Sequence, residues 1–154
     1  RNLIDAGGAY VTLVPGASFF DSSLSFSLVR GGRLDLAFLG ALEVSATGDL
    51  ANWIIPGKYA PGIGGAMELA QKARRLIITT SHTDRKGNSK VVQNCTLPLT
   101  AKACVDLIIT ELAVMEPTPH GLILREIARE TEVEEVIARS DAELIISEND
   151  LVRF

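Results

Sequence analysis

The strand expected over residues 76–80 opens on three successive apolar residues, Leu76-Ile77-Ile78, and it follows closely on a stretch, residues 66–73, in which Met67, Leu69, Ala70 and Ala73 share one helical face. A strand without polar alternation is buried on both sides, so layers must cover both faces of the sheet that holds it. The same alternation of short apolar runs and helical stretches recurs along the chain. Residues 9–14 read as a buried strand stopped by Pro15-Gly16. Asp21 or Ser22 can cap a helix carrying Leu24, Phe26, Leu28 and Val29, which Gly31-Gly32 then ends. Residues 34–39 form a second strand and residues 42–45 begin a third. The expected class is α/β: an open, largely parallel or mixed sheet with helices on both faces.

After Ser81 the pattern becomes more polar. Asp84-Arg85-Lys86-Gly87-Asn88 is a turn signal between strands, with further strands at Val91-Val92 and residues 107–110. Residues 112–116 and 122–127 can pair as a hairpin around Pro117-Thr118-Pro119-His120-Gly121. Thr131-Glu132-Val133-Glu134 has capping-box spacing and should start a helix ending near Arg139, before a last strand at residues 144–146. With no linker, repeat or low-complexity stretch, residues 1–154 read as a single domain.

Composition narrows the function classes. A hydrophobic share of 47% against 22% charged residues excludes a disordered chain. A net charge of −4 argues against nucleic acid as a partner, since phosphate contacts need clustered Lys and Arg. The longest apolar runs, such as residues 107–109 and 144–146, fall far short of the ~20 residues a membrane span requires, so no membrane role is expected. No basic stretch followed by an apolar one opens the chain, and the expected location is the cytoplasm. Cys95 and Cys104 lack CxxC spacing and histidine neighbours. They read as free thiols, and no metal site is indicated. His82 and His120 lie in polar loops and are expected to face solvent. Glu111, flanked by apolar residues, is left open between a group supporting a site and a helix-end charge.

The run most suggestive of chemistry is Gly48-Asp49-Leu50-Ala51-Asn52-Trp53-Ile54-Ile55-Pro56-Gly57-Lys58, followed by Gly62-Ile63-Gly64-Gly65-Ala66-Met67-Glu68-Leu69. Glycine lets a backbone approach a ligand closely, and a helix start offers unpaired N–H groups to an anion or oxyanion. Asn52 and Lys58 add an amide and a cation. Each feature also has a plain structural reading. Gly64-Gly65 can simply cap a helix, Asn52 can form an Asx-turn that holds Trp53, and Lys58 can be a solvated surface lysine. Trp53 itself is assigned to the core. Pro15-Gly16-Ala17-Ser18 reads equally as a crevice edge or an ordinary turn.

These two runs, together with Leu13-Val14-Pro15-Gly16-Ala17-Ser18-Phe19-Phe20, Arg30-Gly31-Gly32-Arg33-Leu34-Asp35-Leu36, Cys95-Thr96-Leu97-Pro98-Leu99-Thr100 and Thr110-Glu111-Leu112-Ala113-Val114, resemble the β subunit of a family I CoA-transferase. The blocks stand in the family's order, and the resemblance runs from about Leu3 to about Ile146. Ile54-Ile55-Pro56-Gly57-Lys58 is more similar to the succinyl-CoA:3-ketoacid and acetoacetate types than to the oxoadipate type. The resemblance implies transfer of CoA between an acyl-CoA, such as succinyl-CoA or acetyl-CoA, and a 3-oxoacid such as acetoacetate. CoA is then a substrate, and no resident cofactor is implied. It further implies an oxyanion-hole N–H at Gly65, an acyl-CoA site formed by Asn52, Lys58, Gly64 and Ala66, and an α subunit as partner in a heterotetramer or higher oligomer.

The nucleophile in that family is a Glu in a Ser-Glu-Asn-Gly segment upstream of the Asp-Ala-Gly that Asp5-Ala6-Gly7 resembles. It is therefore expected outside this chain. Ser147-Glu148-Asn149 shares three letters of the motif, but Asp150 follows instead of Gly and the position is wrong, so we read it as coincidence. Two other classes remain in view: a sugar-phosphate isomerase-like enzyme of related fold, and a non-catalytic ligand-binding domain. The first would need its own acid–base cluster near the glycines, and none is visible.

Overall fold

A computed structural model describes residues 3–5, 8–57, 62–147 and 151–154. Helix α1 (Ser22–Arg30) starts where expected: the Asp21 carboxylate accepts the Leu24 N–H at 2.8 Å, satisfying one of the donors a helix start leaves unpaired. It stops at Gly31-Gly32, with Gly31 N–H donating to Ser27 O and Gly32 in the left-handed region at φ +68°. Strands β1 (Ala37–Leu39), β2 (Glu43–Ser45) and β3 (Leu50–Ala51) follow, then α2 (Ala66–Lys72) and β4 (Leu76–Thr79). The second half supplies β5 (Val91–Val92), β6 (Leu107–Ile109), β7 (Ala113–Thr118), β8 (Gly121–Ile127), α3 (Val133–Arg139), β9 (Leu144–Ile146) and β10 (Val152–Arg153).

The main sheet runs β1-β4-β6-β7-β8-β10, with β9 also on β8. Pairs β1–β4, β4–β6, β8–β9 and β8–β10 are parallel, whereas β6–β7 and β7–β8 are antiparallel. This is the mixed, mostly parallel sheet of an α/β fold. At β4, Leu76 and Ile78 point one way and Ile77 the other, and all three are buried, so both faces of that strand are covered. The hairpin forms as the sequence suggests: Thr118 faces Gly121 across Pro119-His120, and Thr118 Oγ1 donates to Gly121 O at 2.7 Å. Leu76, Ile78, Ile108, Met115, Leu122 and Ile127 are almost fully buried. Each such side chain contributes about 1.5–3 kcal/mol by leaving water.

A small second sheet, β3-β2-β5, shares that core through Val44, Leu50 and Val91. Its β2–β3 turn depends on Gly48. This buried residue sits at φ +85°, and a Cβ there would lie 2.9 Å from Val105 O. Its own carbonyl accepts the N–H groups of Cys104 and Val105, tying the turn to the chain that leads into β6. Gly48→Ala should therefore cost about 2 kcal/mol through left-handed strain and backbone crowding, read as a lower urea midpoint at unchanged slope. An unshifted midpoint would show that the turn relaxes at no cost.

Two expectations need correction. Residues 9–14 form no strand in the sheet: they are exposed, and their one strand-like pairing among the described residues is the isolated antiparallel bridge Ile4–Tyr10. Apolar composition permits a strand, but a hydrogen-bonding neighbour makes one, and no described strand lies beside these residues. Nor does the capping box form. Helix α3 begins one residue late, behind Glu132, with no side-chain cap. Thr131 is buried and its N–H closes a tight turn onto Ala128 O at 3.0 Å, which takes it out of capping position. No helix among the described residues is long and apolar enough to cross a membrane.

Candidate active site

The carboxyl ends of β1, β4 and β6 open onto one edge of the main sheet, where ligand crevices form in open α/β folds. Helix α2 leads back into β4, which runs parallel to β1, so its N-terminus and the preceding glycines lie toward that same edge. Gly64 adopts φ +57°, a conformation that favours glycine, with open space where a Cβ would be. Gly65 is different. Its φ of −82° suits any residue, but a Cβ would fall 2.6 and 2.7 Å from two Phe26 ring carbons. Helix α1 thus packs closely on the start of α2, and a side chain at Gly65 would strike Phe26 first. Ala66 opens the helix, whose first N–H groups precede any carbonyl of the helix able to accept from them. Glu68 does not cap the helix: it pairs with Arg30 of α1 at 2.8 Å, half-exposed and so worth at most about 1 kcal/mol.

Asn52 is a strut at the end of β3. Its Nδ2 donates to Gly40 O at 3.1 Å, just beyond β1, and its Oδ1 accepts from Thr100 Oγ1 at 2.6 Å. Thr100 Oγ1 also accepts the Asn52 backbone N–H at 3.2 Å. Neither bond is an Asx-turn. The second Nδ2 proton has no protein partner among the described residues. Trp53 is half-buried, and its Nε1 is buried without a hydrogen-bond partner among the described residues. Lys58 and Glu148 lie outside the described residues. Pro15-Gly16 forms an exposed turn in which Ala17 N–H donates to Val14 O at 3.1 Å.

His82 is a correction: it is fully buried, whereas His120 is exposed as expected. Just past β4, the His82 ring spans from Thr110 Oγ1, 3.0 Å from Nδ1, to Ser140 Oγ, 2.9 Å from Nε2. Thr110 Oγ1 accepts the N–H groups of Leu112 and Ala113, and its own proton is shared between Nδ1 at 3.0 Å and Ala113 O at 3.3 Å. The network therefore assigns the neutral Nε2–H tautomer: Nε2–H donates to Ser140 Oγ, whose own proton goes to Val136 O at 2.8 Å. Burial pushes the His82 pKa below its usual value; Arg139 adds to that shift and Glu111 opposes it. Glu111 is exposed and its carboxylate accepts the His82 backbone N–H at 3.0 Å, a supporting role the sequence left open. The polar neighbours of His82 in sequence hid its burial, because the groups that satisfy it, Thr110 and Ser140, stand just past β6 and α3.

Cys95 and Cys104 are free and half-buried, and burial pushes their thiols up to about 12 and about 11, so neither is a ready thiolate at neutral pH. No group of three or more His, Cys, Asp or Glu that could hold a metal gathers among the described residues. Sequence reading missed Phe26, Thr80, Lys90 and Thr100 as groups shaping this edge. Of these, only Lys90 carried a signal, as a cation set directly before the buried Val91-Val92 pair.

Against known proteins, the family model for coenzyme A transferases matches residues 1–139. The chain is 52% identical over 145 residues to the β subunit of a "Probable coenzyme A transferase" of Bacillus subtilis, covering 94% of this chain and 67% of that one. It is 46% identical over 142 residues to the corresponding subunit of a succinyl-CoA:3-ketoacid coenzyme A transferase of Helicobacter pylori, covering 92% and 69%. Among solved structures, an acyl-CoA transferase (YdiF) from Escherichia coli O157:H7 superposes with TM-score 0.78 at 22% identity, over 89% of this chain and 31% of that one. A single-residue variant of the decarboxylase AibA/AibB gives 0.72 at 23% identity, over 89% and 58%. Those two likenesses show a shared fold, which by itself hosts more than one reaction. The sequence matches, spanning about two thirds of the length of these β-type subunits, establish that the chain belongs to the coenzyme A transferase family.

Proposed function

We propose that this chain is the greater part of the β subunit of a 3-oxoacid CoA-transferase, which moves CoA between an acyl-CoA and a 3-oxoacid such as acetoacetate. The observation that carries this reading is the 45–46% identity to β-type chains of succinyl-CoA:3-ketoacid transferases along 92–97% of the chain. In the proposed reaction a Glu carboxylate attacks the acyl-CoA carbonyl, expelling CoA thiolate and leaving a mixed anhydride. The thiolate then attacks the glutamyl carbonyl, releases the first acid and forms a glutamyl-CoA thioester. The second acid reverses these steps. Each attack passes through a tetrahedral oxyanion, and a backbone N–H at Gly65 aimed at it would supply ~3–4 kcal/mol. Asn52, Lys58, Gly64 and Ala66 complete the acyl-CoA site in this reading. CoA enters as substrate rather than as a resident cofactor.

The Glu of this mechanism comes from outside these residues, and the stretch alone is inactive. Supporting this, the acids around the carboxyl edge have structural duties: Glu68 pairs with Arg30, Glu111 holds the His82 N–H, and Glu43 accepts from Thr96 and Leu97. An α subunit is the proposed partner. Val14, Phe19, Phe20, Leu24 and Leu28 are 74%, 72%, 55%, 50% and 40% exposed, an apolar strip of the kind a subunit interface covers. Trapping with hydroxylamine after exposure to acyl-CoA, followed by mass analysis, tests the reading. The complete αβ enzyme should carry one modified Glu, and the present residues none. A modified Glu148 would relocate the nucleophile, and no adduct on the complete enzyme would reject the covalent route.

A further inference from the structure

Lys90 stands immediately before β5, and its ammonium reaches back over the end of β4, donating to Thr80 Oγ1 at 3.0 Å. Thr80 Oγ1 in turn donates to Ala41 O at 3.2 Å, just beyond β1, so the hydroxyl is oriented to receive the ammonium. Among the described residues no carboxylate lies within 4.0 Å of Lys90 Nζ. Lys90 is half-buried as a residue, and Thr80 Oγ1 is the one hydrogen-bond partner of its ammonium among the described residues.

What surrounds it is a cleft of about 510 Å³, walled on its apolar side by Leu42 and Ile55, with Lys86 close by. That volume is within the range of small-molecule sites. Two acids also line the cleft, and both are already satisfied. Glu43 accepts from Thr96 N–H, Thr96 Oγ1 and Leu97 N–H at 2.6, 2.7 and 3.0 Å. Asp84 accepts from Lys86 N–H, Asn88 N–H and Asn88 Nδ2, and these bonds to Asn88 and Lys86 hold its carboxyl below the usual range. Both carboxylates thus have their donors in hand, while Lys90 keeps two N–H groups for a guest.

We infer that this cleft is an anion subsite in which Lys90 Nζ receives a carboxylate or phosphate oxygen, while the apolar part of the same ligand lies along Leu42 and Ile55. The ligand's identity rests on the transferase reading, in which both the acid substrate and the phosphates of CoA offer such oxygens. The subsite itself rests on the cleft and on a cation in it that forms no ion pair among the described residues. Lys86 stands at the rim and adds long-range attraction that salt will screen.

The test is calorimetric titration of the intact protein with two probe sets, acetoacetate and succinate in one arm and inorganic phosphate and ADP in the other. Whichever arm binds, Lys90→Met should weaken that binding about tenfold and Lys90→Arg should restore part of it. The melting temperature of ligand-free Lys90→Met should fall little, because the variant keeps the stem and gives up one hydrogen bond at the edge of an open cleft. If Lys90→Met does not fold, Thr80→Val reads the same question by freeing the ammonium while keeping its charge, and should also weaken binding. Failure of the wild-type protein to bind either probe set, or equal binding by wild type and Lys90→Met, overturns the subsite. The two readings fail separately. Binding lost in Lys90→Met in a protein that transfers no CoA leaves the subsite standing. CoA transfer with probe binding indifferent to Lys90 leaves only the transferase.

Discussion

Gly65→Val is expected to lower both stability and turnover, and only the stability should return when Phe26 is shortened. A Cβ on Gly65 falls 2.6–2.7 Å from the Phe26 ring, well inside contact distance. Either the ring or α1 must shift, at the ~1–3 kcal/mol typical of overpacking. Turnover should drop further, by about 10²–10³-fold, the usual loss when an oxyanion donor is displaced. The double variant Phe26→Ala/Gly65→Val removes the clash, so its denaturation midpoint should match that of Phe26→Ala alone. Its kcat, measured in the complete αβ enzyme, should stay low. Recovered kcat in the double variant would mean that glycine is required at this position for helix packing alone, and the oxyanion donor would have to be sought elsewhere.

The second large effect concerns His82. Replacing it with Leu removes the proton donor to the half-buried Ser140 Oγ and the Nδ1 acceptor beside the Thr110 hydroxyl, which keeps Ala113 O at 3.3 Å as its other acceptor. The expected loss is about 1–3 kcal/mol, from two hydrogen bonds to a buried ring at about 0.5–1.5 kcal/mol each. The same residue predicts how stability follows pH. Its folded pKa is lowered, chiefly by burial, so the folded state keeps the ring neutral while the unfolded chain takes up a proton near the ordinary value of about 6.5. The contribution is thus fully present above that value and is lost as pH falls below it toward the folded pKa. Protonation also places an Nδ1–H against a Thr110 oxygen whose lone pairs are already engaged. Urea midpoints measured from about pH 7.5 down to about pH 5 should fall for wild type and fall less for His82→Leu. Parallel slopes in the two proteins would remove His82 from the acid response. Glu111 and Arg139, the charges acting on the ring, tune that window in opposite directions.

Much of the architecture was readable because it rests on local rules. Asp21 capping α1, Gly31-Gly32 ending it, Asp84 organising its turn and the hairpin at Pro119-His120 all depend on residues a few positions apart. The unbroken apolar run at residues 76–78 is likewise a local record of a strand covered on both faces. Where reading failed, the deciding partner lay outside the pattern being read. Residues 9–14 have strand composition but no adjacent strand among the described residues. Thr131 has capping chemistry but is drawn into a turn with Ala128.

At the candidate site the division is sharper. Gly64 and Gly65 look alike as letters. The structure separates them, one needed for its left-handed φ and the other for the close approach of Phe26 from a different helix. Asn52 could be singled out by its neighbours, yet its bonds to Gly40 and Thr100 follow only from how β1, β3 and the residues near position 100 meet. By itself the sequence determined the family, the α/β class and the placement of a glycine-opened helix before β4, since these follow from ordered motifs, hydrophobic period and turn chemistry. Only the tertiary structure decided that His82 is buried and neutral and that Lys90 lines a cleft with no carboxylate within 4.0 Å of its ammonium among the described residues. Burial and charge compensation are set by residues that meet only after the strands have paired, and no local pattern along the chain encodes that meeting.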